Sequence, residues 1–344
     1  MNSPFVQLTL VKLREYTREP EAMFWVFVFP VLMTCALGIA FRDSGASQIR
    51  VGVVPGFNAE AVAAALDADP RIEARAVTES QAAVLLRDGD IALVVVPQDL
   101  IGPSYRFDRT RPESSVARFT VDEVLQRHAG RADVFDPRDE LIELPGSRYI
   151  DWLVPGLLGM NIMSTGLWGV GFAIVQARTK KLLKRLVATP MSKAHYLMSH
   201  VFSRLLFLAL EVLVIVGFAW LFFDVKVHGA LASLAGLALL GALSFGGLGL
   251  LLASRARTIE AVSGLMNLVM LPMWVLSGVF FASANFPEPM QPFIKLLPLT
   301  ALNDALRAVI NEGLAISAVG PEIAILAGWG LVSFALSLRL FRWQ

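Results

Sequence analysis

Residues 22–41, 152–176, 229–253 and 261–282 carry no charged side chain. Each run is long enough to cross a bilayer as a helix, since about 20 apolar residues span the hydrocarbon. Two further runs are nearly as apolar. Residues 201–223 hold only Arg204 and Glu211, and residues 322–341 only Glu322 and Arg339. Hydrophobic residues make up 55% of the chain, charged residues 17%, and the mean hydropathy is +0.59. This is the composition of an integral membrane protein. The net charge of +1 is segregated by loop and makes no nucleic-acid face. One cysteine, Cys35, lies inside an apolar run, so no intrachain disulfide and no CxxC metal or redox motif can form.

The expected fold is therefore an α-helical polytopic membrane protein with six transmembrane helices and one inserted small α/β domain. Residues 1–21 read as a cytoplasmic interfacial helix with Phe5 and Leu8 on one side. Residues 22–41 form the first span, retained rather than cleaved, with Pro30 expected to kink it. Residues 42–150 are polar. QIRVGVV, IEARAV and IALVVVP read as strands separated by helices, Asn58 and Thr78 cap two of those helices, and Thr78 with Gln81 makes a capping box. SYRFD is a further candidate strand and residues 114–131 a longer helix. Residues 151–344 supply spans two to six. Between spans five and six, residues 283–320 begin with four prolines and continue with Leu302, Leu306, Val309 and Ile310 at helical spacing. That pattern predicts a re-entrant or interfacial helical hairpin.

Residues 177–200 constrain function most. Arg178, Lys180, Lys181, Lys184, Arg185 and Lys193 accumulate there without one acidic residue. A short basic loop between spans stays cytoplasmic. Leu182, Leu183, Leu186 and Val187 add an apolar stripe at helical spacing. Pro190 stops that helix at Thr189, and Ser192 can cap the next. The segment thus predicts a bent finger that receives force from another protein. Lys184, Arg185, Thr189, Pro190 and Met191 are its expected contact residues; the alternative is that its cations only fix topology and hold anionic lipid headgroups. The same charge bias puts both termini and the Arg255–Arg257 turn on the inside, and residues 42–150 and 283–320 outside. Trp25, Trp152, Trp220 and Trp343 lie near span ends, as interfacial belts require.

Glu211 is a carboxylate in mid-span, and such residues face protein or water. It is a candidate for the translocation path or a dimer seam, or else a structural residue partnered by Asn161, Asn267 or a serine. Arg204 on the same face can snorkel to the cytoplasm. Met160, Met163, Met266, Met270 and Met273 could meet a promiscuous apolar substrate, but at helical spacing such methionines are more often ordinary packing. Arg307 is expected to pair with Asp304 or Glu312. His128, His195, His200 and His228 lie in unrelated segments, and no metal set, catalytic triad, GxGxxG or GxxxxGK[ST] motif is present.

LLKRLVATPMSKAHYL, together with LSGVFF and LPLTALNDALRAVINEG, resembles the permease subunits of ABC-2 type ATP-binding cassette transporters. The similarity runs from about residue 152 to 341, and a large external domain between spans one and two is similar to the drug-exporter-like members. Where many members carry acidic residues and a Gly-Thr pair, this chain has Ala177, Thr179, Lys181 and Leu182. The resemblance implies a type V exporter-like fold in the plasma (inner) membrane with both termini cytoplasmic. Its implied partners are a separate ABC ATPase, a second permease copy or paralogue, membrane lipid and, outside, a periplasmic adaptor. ATP and Mg would bind the partner ATPase, with no cofactor on this chain and no enzymatic activity of its own. The implied function is ATP-driven export of an amphipathic drug, lipid or glycoconjugate. The rival readings are an ion- or proton-coupled secondary transporter and a membrane-anchored sensor.

Overall fold

The computed structural model describes residues 4–41, 48–98, 102–132, 135, 146–179, 193–256 and 258–340. Its backbone divides into two compact units, Met1–Arg42 with Glu143–Gln344, and Asp43–Ile142. The first unit opens with α1 (Pro4–Thr17), a short α2 (Pro20–Met23), a π-helical turn (Phe24–Val28) and α3 (Phe29–Ala40).

The second unit contains β1 (Ile49–Val53), α4 (Ala59–Asp67), β2 (Ile72–Ala76), α5 (Glu79–Asp88), β3 (Leu93–Val96), β4 (Ser104–Arg106) and α6 (Pro112–His128). The sheet order is β2-β1-β3-β4. β1 is parallel to both neighbours, with Val51 opposite Ala74 and Leu93, and β4 is antiparallel to β3. Val51, Val53, Leu93 and Val95 join Leu66, Ala117 and Val121 in one apolar layer, so α4 and α6 share a face. Val54, Val94 and Ile91 meet Val77 and Ala82 in the other layer, beneath α5. Alternation of side chains across β1 and β3 feeds both layers. The capping box forms as expected: Gln81 N donates to Thr78 Oγ1 at 3.4 Å, and Thr78 N to Gln81 Oε1 at 3.1 Å. Asn58 differs. It precedes α4 in the left-handed region (φ 57°) and makes no side-chain cap bond.

The chain returns to the first unit with α7 (Tyr149–Leu167), a second π-helical turn (Trp168–Phe172) and α8 (Ala173–Thr179). Then come α9 (Lys193–Phe223), α10 (Leu231–Arg255), α11 (Ile259–Leu276), α12 (Gln291–Lys295), α13 (Pro298–Ile310) and α14 (Gly320–Leu340). Among the described residues five helices are long and apolar enough to cross a membrane: Tyr149–Gln176, Phe202–Phe223, Leu231–Arg255, Ile259–Leu276 and Ile316–Leu340. The first expected span appears as the shorter apolar helix Phe24–Ala40. The fifth ends earlier than the expected residue 282, because Gly278 turns the chain at φ 70°.

α10 is the central helix, lying along α14 and α7. Glycine makes the close approach possible at two places. A methyl on Gly249 would sit 2.7 Å from Leu167 O, and one on Gly171 would sit 2.6 Å from Gly249 O. Such contacts bring helix backbones together where no hydrophobic effect drives association. The 283–320 segment runs inward. Its main helix, α13, packs against α7, α10 and α14, with Leu299, Leu302, Ala305, Leu306 and Val309 fully buried. All five methionines named above are buried as core.

Pro30 at the start of α3, Pro155 inside α7 and Pro272 inside α11 each free the carbonyl four residues before them, and the first two of these carbonyls are met by an asparagine. Pro30 leaves Val26 O, which accepts Asn161 Nδ2 at 3.0 Å. Pro155 leaves Asp151 O, which accepts Asn311 Nδ2 at 2.9 Å. In both cases an asparagine from elsewhere in the bundle stands in for the missing N–H.

Candidate functional site

The finger residues Lys184, Arg185, Thr189, Pro190 and Met191 lie outside the described residues. Its two roots, α8 and α9, are described.

Glu211 sits on α9 with no exposed surface. Thr165 of α7 holds one of its oxygens, Oε2, at 3.1 Å, while the other, Oε1, is buried without a hydrogen-bond partner among the described residues. Thr165 Oγ1 also lies 2.9 Å from Asn161 O, and its single hydrogen can serve only one of the two. Asn161 itself is not Glu211's partner, as the sequence suggested it could be, because its amide is committed to Val26 O. One turn beyond Thr165, the Arg204 guanidinium lies against Gly169, where a methyl would come within 2.9 Å of its central carbon. α7 and α9 therefore present a carboxylate, a hydroxyl and a guanidinium along one seam.

At the end of the bundle holding the start of α7, a second polar group forms. Arg148 makes a bidentate pair with Asp151 at 2.9 and 2.7 Å. It also donates to Phe223 O and Asp224 O, the carbonyls that close α9. These acceptors and the negative end of the helix suit a guanidinium. Asp151 raises the Arg148 pKa above the ordinary arginine value through its hydrogen bonds, against the opposing effect of burial. Arg307 of α13 is buried. It donates to Trp152 O at 3.4 Å and to Gly278 O just past α11, reaches Asp304 at 3.5 Å, and stacks 3.4 Å from the Trp152 ring centroid. The expected Arg307–Asp304 pair is present, and it is the longest of these contacts. Trp152 is thus a stacking partner inside the bundle rather than a belt residue, whereas Trp25 and Trp220 are each 60% exposed. Asn303 donates to Ser277 O at 2.9 Å.

At the other end, Arg178 on α8 donates to Ala256 O at 3.1 Å and to Ala253 O at 3.4 Å, the closing carbonyls of α10. Sequence reasoning counted Arg178 among the basic residues without seeing this role. It also missed Asn303, Asn311 and Arg148. A polar residue within the apolar pattern of residues 298–311 was the available signal, and proline spacing would have located the orphaned carbonyls.

No group of three His, Cys, Asp or Glu residues among the described ones could hold a metal ion. A bundle of long apolar helices, with its few polar groups turned inward, defines a multi-pass membrane protein. The family follows from comparison: the chain belongs to the ABC-2 family transporter proteins, whose family model matches residues 21–339. It is similar to the inner membrane transport permease YhhJ of Escherichia coli (strain K12) and to its counterpart in Shigella flexneri. Each is 22% identical over 187 residues, which is 53% of this chain and 49% of the relative. The match thus spans about half the length of these curated relatives.

Proposed function

We propose that the chain is the permease subunit of an ATP-binding cassette exporter, paired with a second permease and worked by a separate ATPase. The family match across residues 21–339 carries this reading. The printed name of the relatives, an inner membrane transport permease, supports the location. Phe24–Ala40 serves as the first span and brings the number to six: with the preceding turn it makes a helical stretch of about 30 Å, the thickness of the hydrocarbon. Six spans put both termini and residues 177–200 in the cytoplasm and Asp43–Ile142 outside. The finger meets the ATPase through Lys184, Arg185, Thr189, Pro190 and Met191. Glu211 lies on the path of an amphipathic substrate or at the seam between two permeases, and the partnerless Oε1 supports either place.

The test is co-purification of the chain with an ATPase from its native membrane, followed by ATP turnover of the complex. Wild-type chain brings down the ATPase. The double substitution Lys184→Glu with Arg185→Glu inserts at normal level and loses the ATPase. Retention of the partner by that variant, or pumping by the isolated chain without nucleotide, overturns the reading.

A further inference from the structure

The finger has two roots, and they are attached differently. α9 turns Leu205, Leu206, Leu210 and Leu213 outward, so much of its surface faces away from the bundle. α8 instead joins α7 through the π-helical turn Trp168–Phe172, and that turn touches α10 at Gly171. π segments interrupt the α-helical register and sit frequently at functional places. Beyond that turn, Arg178 holds the last carbonyls of α10, which have no partner within their own helix. α10 then runs through the centre of the bundle. A methyl on its Gly247 would lie 3.1 Å from Gly330 O of α14, and one on its Gly241 would meet Leu302 of α13 at 2.9 Å. A displacement entering at α8 thus reaches a helix in contact with most of the others.

We propose that Arg178 is the joint that makes α8 and α10 move as one body when the basic finger is pushed, so that force enters the bundle through α10 rather than α9. This rests on the reading of residues 177–200 as the ATPase contact. Arg178 is a positioning residue: it touches neither substrate nor nucleotide. Both bonds leave one guanidinium nitrogen, Nη1, so a lysine ammonium, with three hydrogens on its single nitrogen, can restore the joint where glutamine and alanine cannot.

Spin labels test the joint. In a Cys35→Ser background, Thr179→Cys with Arg255→Cys reports across the joint, and Thr179→Cys with Leu213→Cys reports against α9; Thr179, Arg255 and Leu213 are all exposed. In the isolated permease the Thr179–Arg255 distribution is narrow. Arg178→Gln and Arg178→Ala broaden it, and Arg178→Lys narrows it again. In the complex with the ATPase, ATP plus vanadate leaves the wild-type Thr179–Arg255 distance within about 2 Å, the scale of a packed helix shift. The Thr179–Leu213 distance changes by more than that. In Arg178→Gln the two behaviours exchange. Equal distribution widths in wild type and Arg178→Gln, or a nucleotide-driven change across the wild-type joint of about one helical turn, 5 Å, overturns the proposal. Should no ATPase co-purify, the proposed function fails, while the isolated-permease arm still decides whether Arg178 fixes α8 to α10.

Discussion

Replacing Asn161 by leucine should cost stability only because Pro30 is where it is. Asn161 Nδ2 donates to Val26 O at 3.0 Å in a buried site, and that carbonyl has no α-helical donor because residue 30 is proline. Leucine matches the shape and removes the donor. Leaving a buried carbonyl unpaired costs about 1–3 kcal/mol in a water-soluble core. Measured side-chain hydrogen bonds between membrane helices are smaller, about 0.6 kcal/mol on average and about 1.7 at most. The expected cost of Asn161→Leu is therefore about 1 kcal/mol. With Pro30→Ala, residue 30 regains an N–H aimed at Val26 O, and Asn161→Leu becomes nearly neutral. The coupling energy between the two sites is about 1 kcal/mol, a fivefold change in the unfolding equilibrium. Reversible unfolding in mixed detergent micelles, on wild type, both single variants and the double, measures it. Independent sites add to within about 0.3–0.5 kcal/mol. A coupling inside that range would refute the claim that the asparagine answers the proline, and with it the parallel claim for Asn311, Asp151 and Pro155.

Two other predictions concern single side chains. Glu211→Gln keeps the shape and a hydrogen bond to Thr165 and should insert and pair with the ATPase normally, while Glu211→Ala leaves a void and unfolds at lower detergent denaturant; equal stability of the two would argue that the carboxylate's contacts are unimportant to the fold. Burial, then the hydrogen bond to Asp122 at 3.0 Å, raises the Tyr105 pKa above the usual tyrosine value. The neutral phenol is the form the fold favours, so its contribution is complete below about pH 10, the unfolded value, and is lost as pH rises through the folded one. Tyr105→Phe should abolish that alkaline loss, read as protease susceptibility of the Asp43–Ile142 unit against pH; an unchanged alkaline profile would remove Tyr105 as its source.

What could be read from the sequence were features whose cause lies within a few residues. Charge-free runs pointed to the long helices, short apolar runs bounded by turn residues to β1 and β3, and Thr78 with Gln81 to the start of α5. Asn58 was read as an ordinary cap, but its backbone adopts the left-handed region, where its side chain makes no cap bond. The site was far less legible because its partners are distant in the chain. Val26 and Asn161 are separated by 135 residues, Arg307 and Trp152 by 155, and Asn311 and Asp151 by 160. No periodicity records such a pairing. A proline in a membrane helix does announce an unpaired carbonyl, and an asparagine in another apolar segment announces a donor, yet which meets which is decided by packing alone.

Three arginines of the bundle, Arg148, Arg178 and Arg307, follow one physical rule. Inside a helix every carbonyl but the last few has a donor, and in a membrane those last few cannot be left bare. Arg148 closes α9, Arg307 meets the carbonyl just past α11, and Arg178 closes α10. Arg148 and Arg178 stand at opposite ends of the α7–α8 rod, and Arg307 stacks on its Trp152. This rod therefore ties together the ends of three neighbouring helices, with glycine contacts fixing it to α10 between them. Cations so placed serve the fold, and their positions at helix ends follow from backbone chemistry without any substrate. Glu211 obeys no such rule. It caps nothing, it sits on α9 away from both ends, and one of its oxygens has no described partner. A carboxylate that completes no helix end, in the most costly place for one, is the residue we propose to meet whatever moves past it or against it.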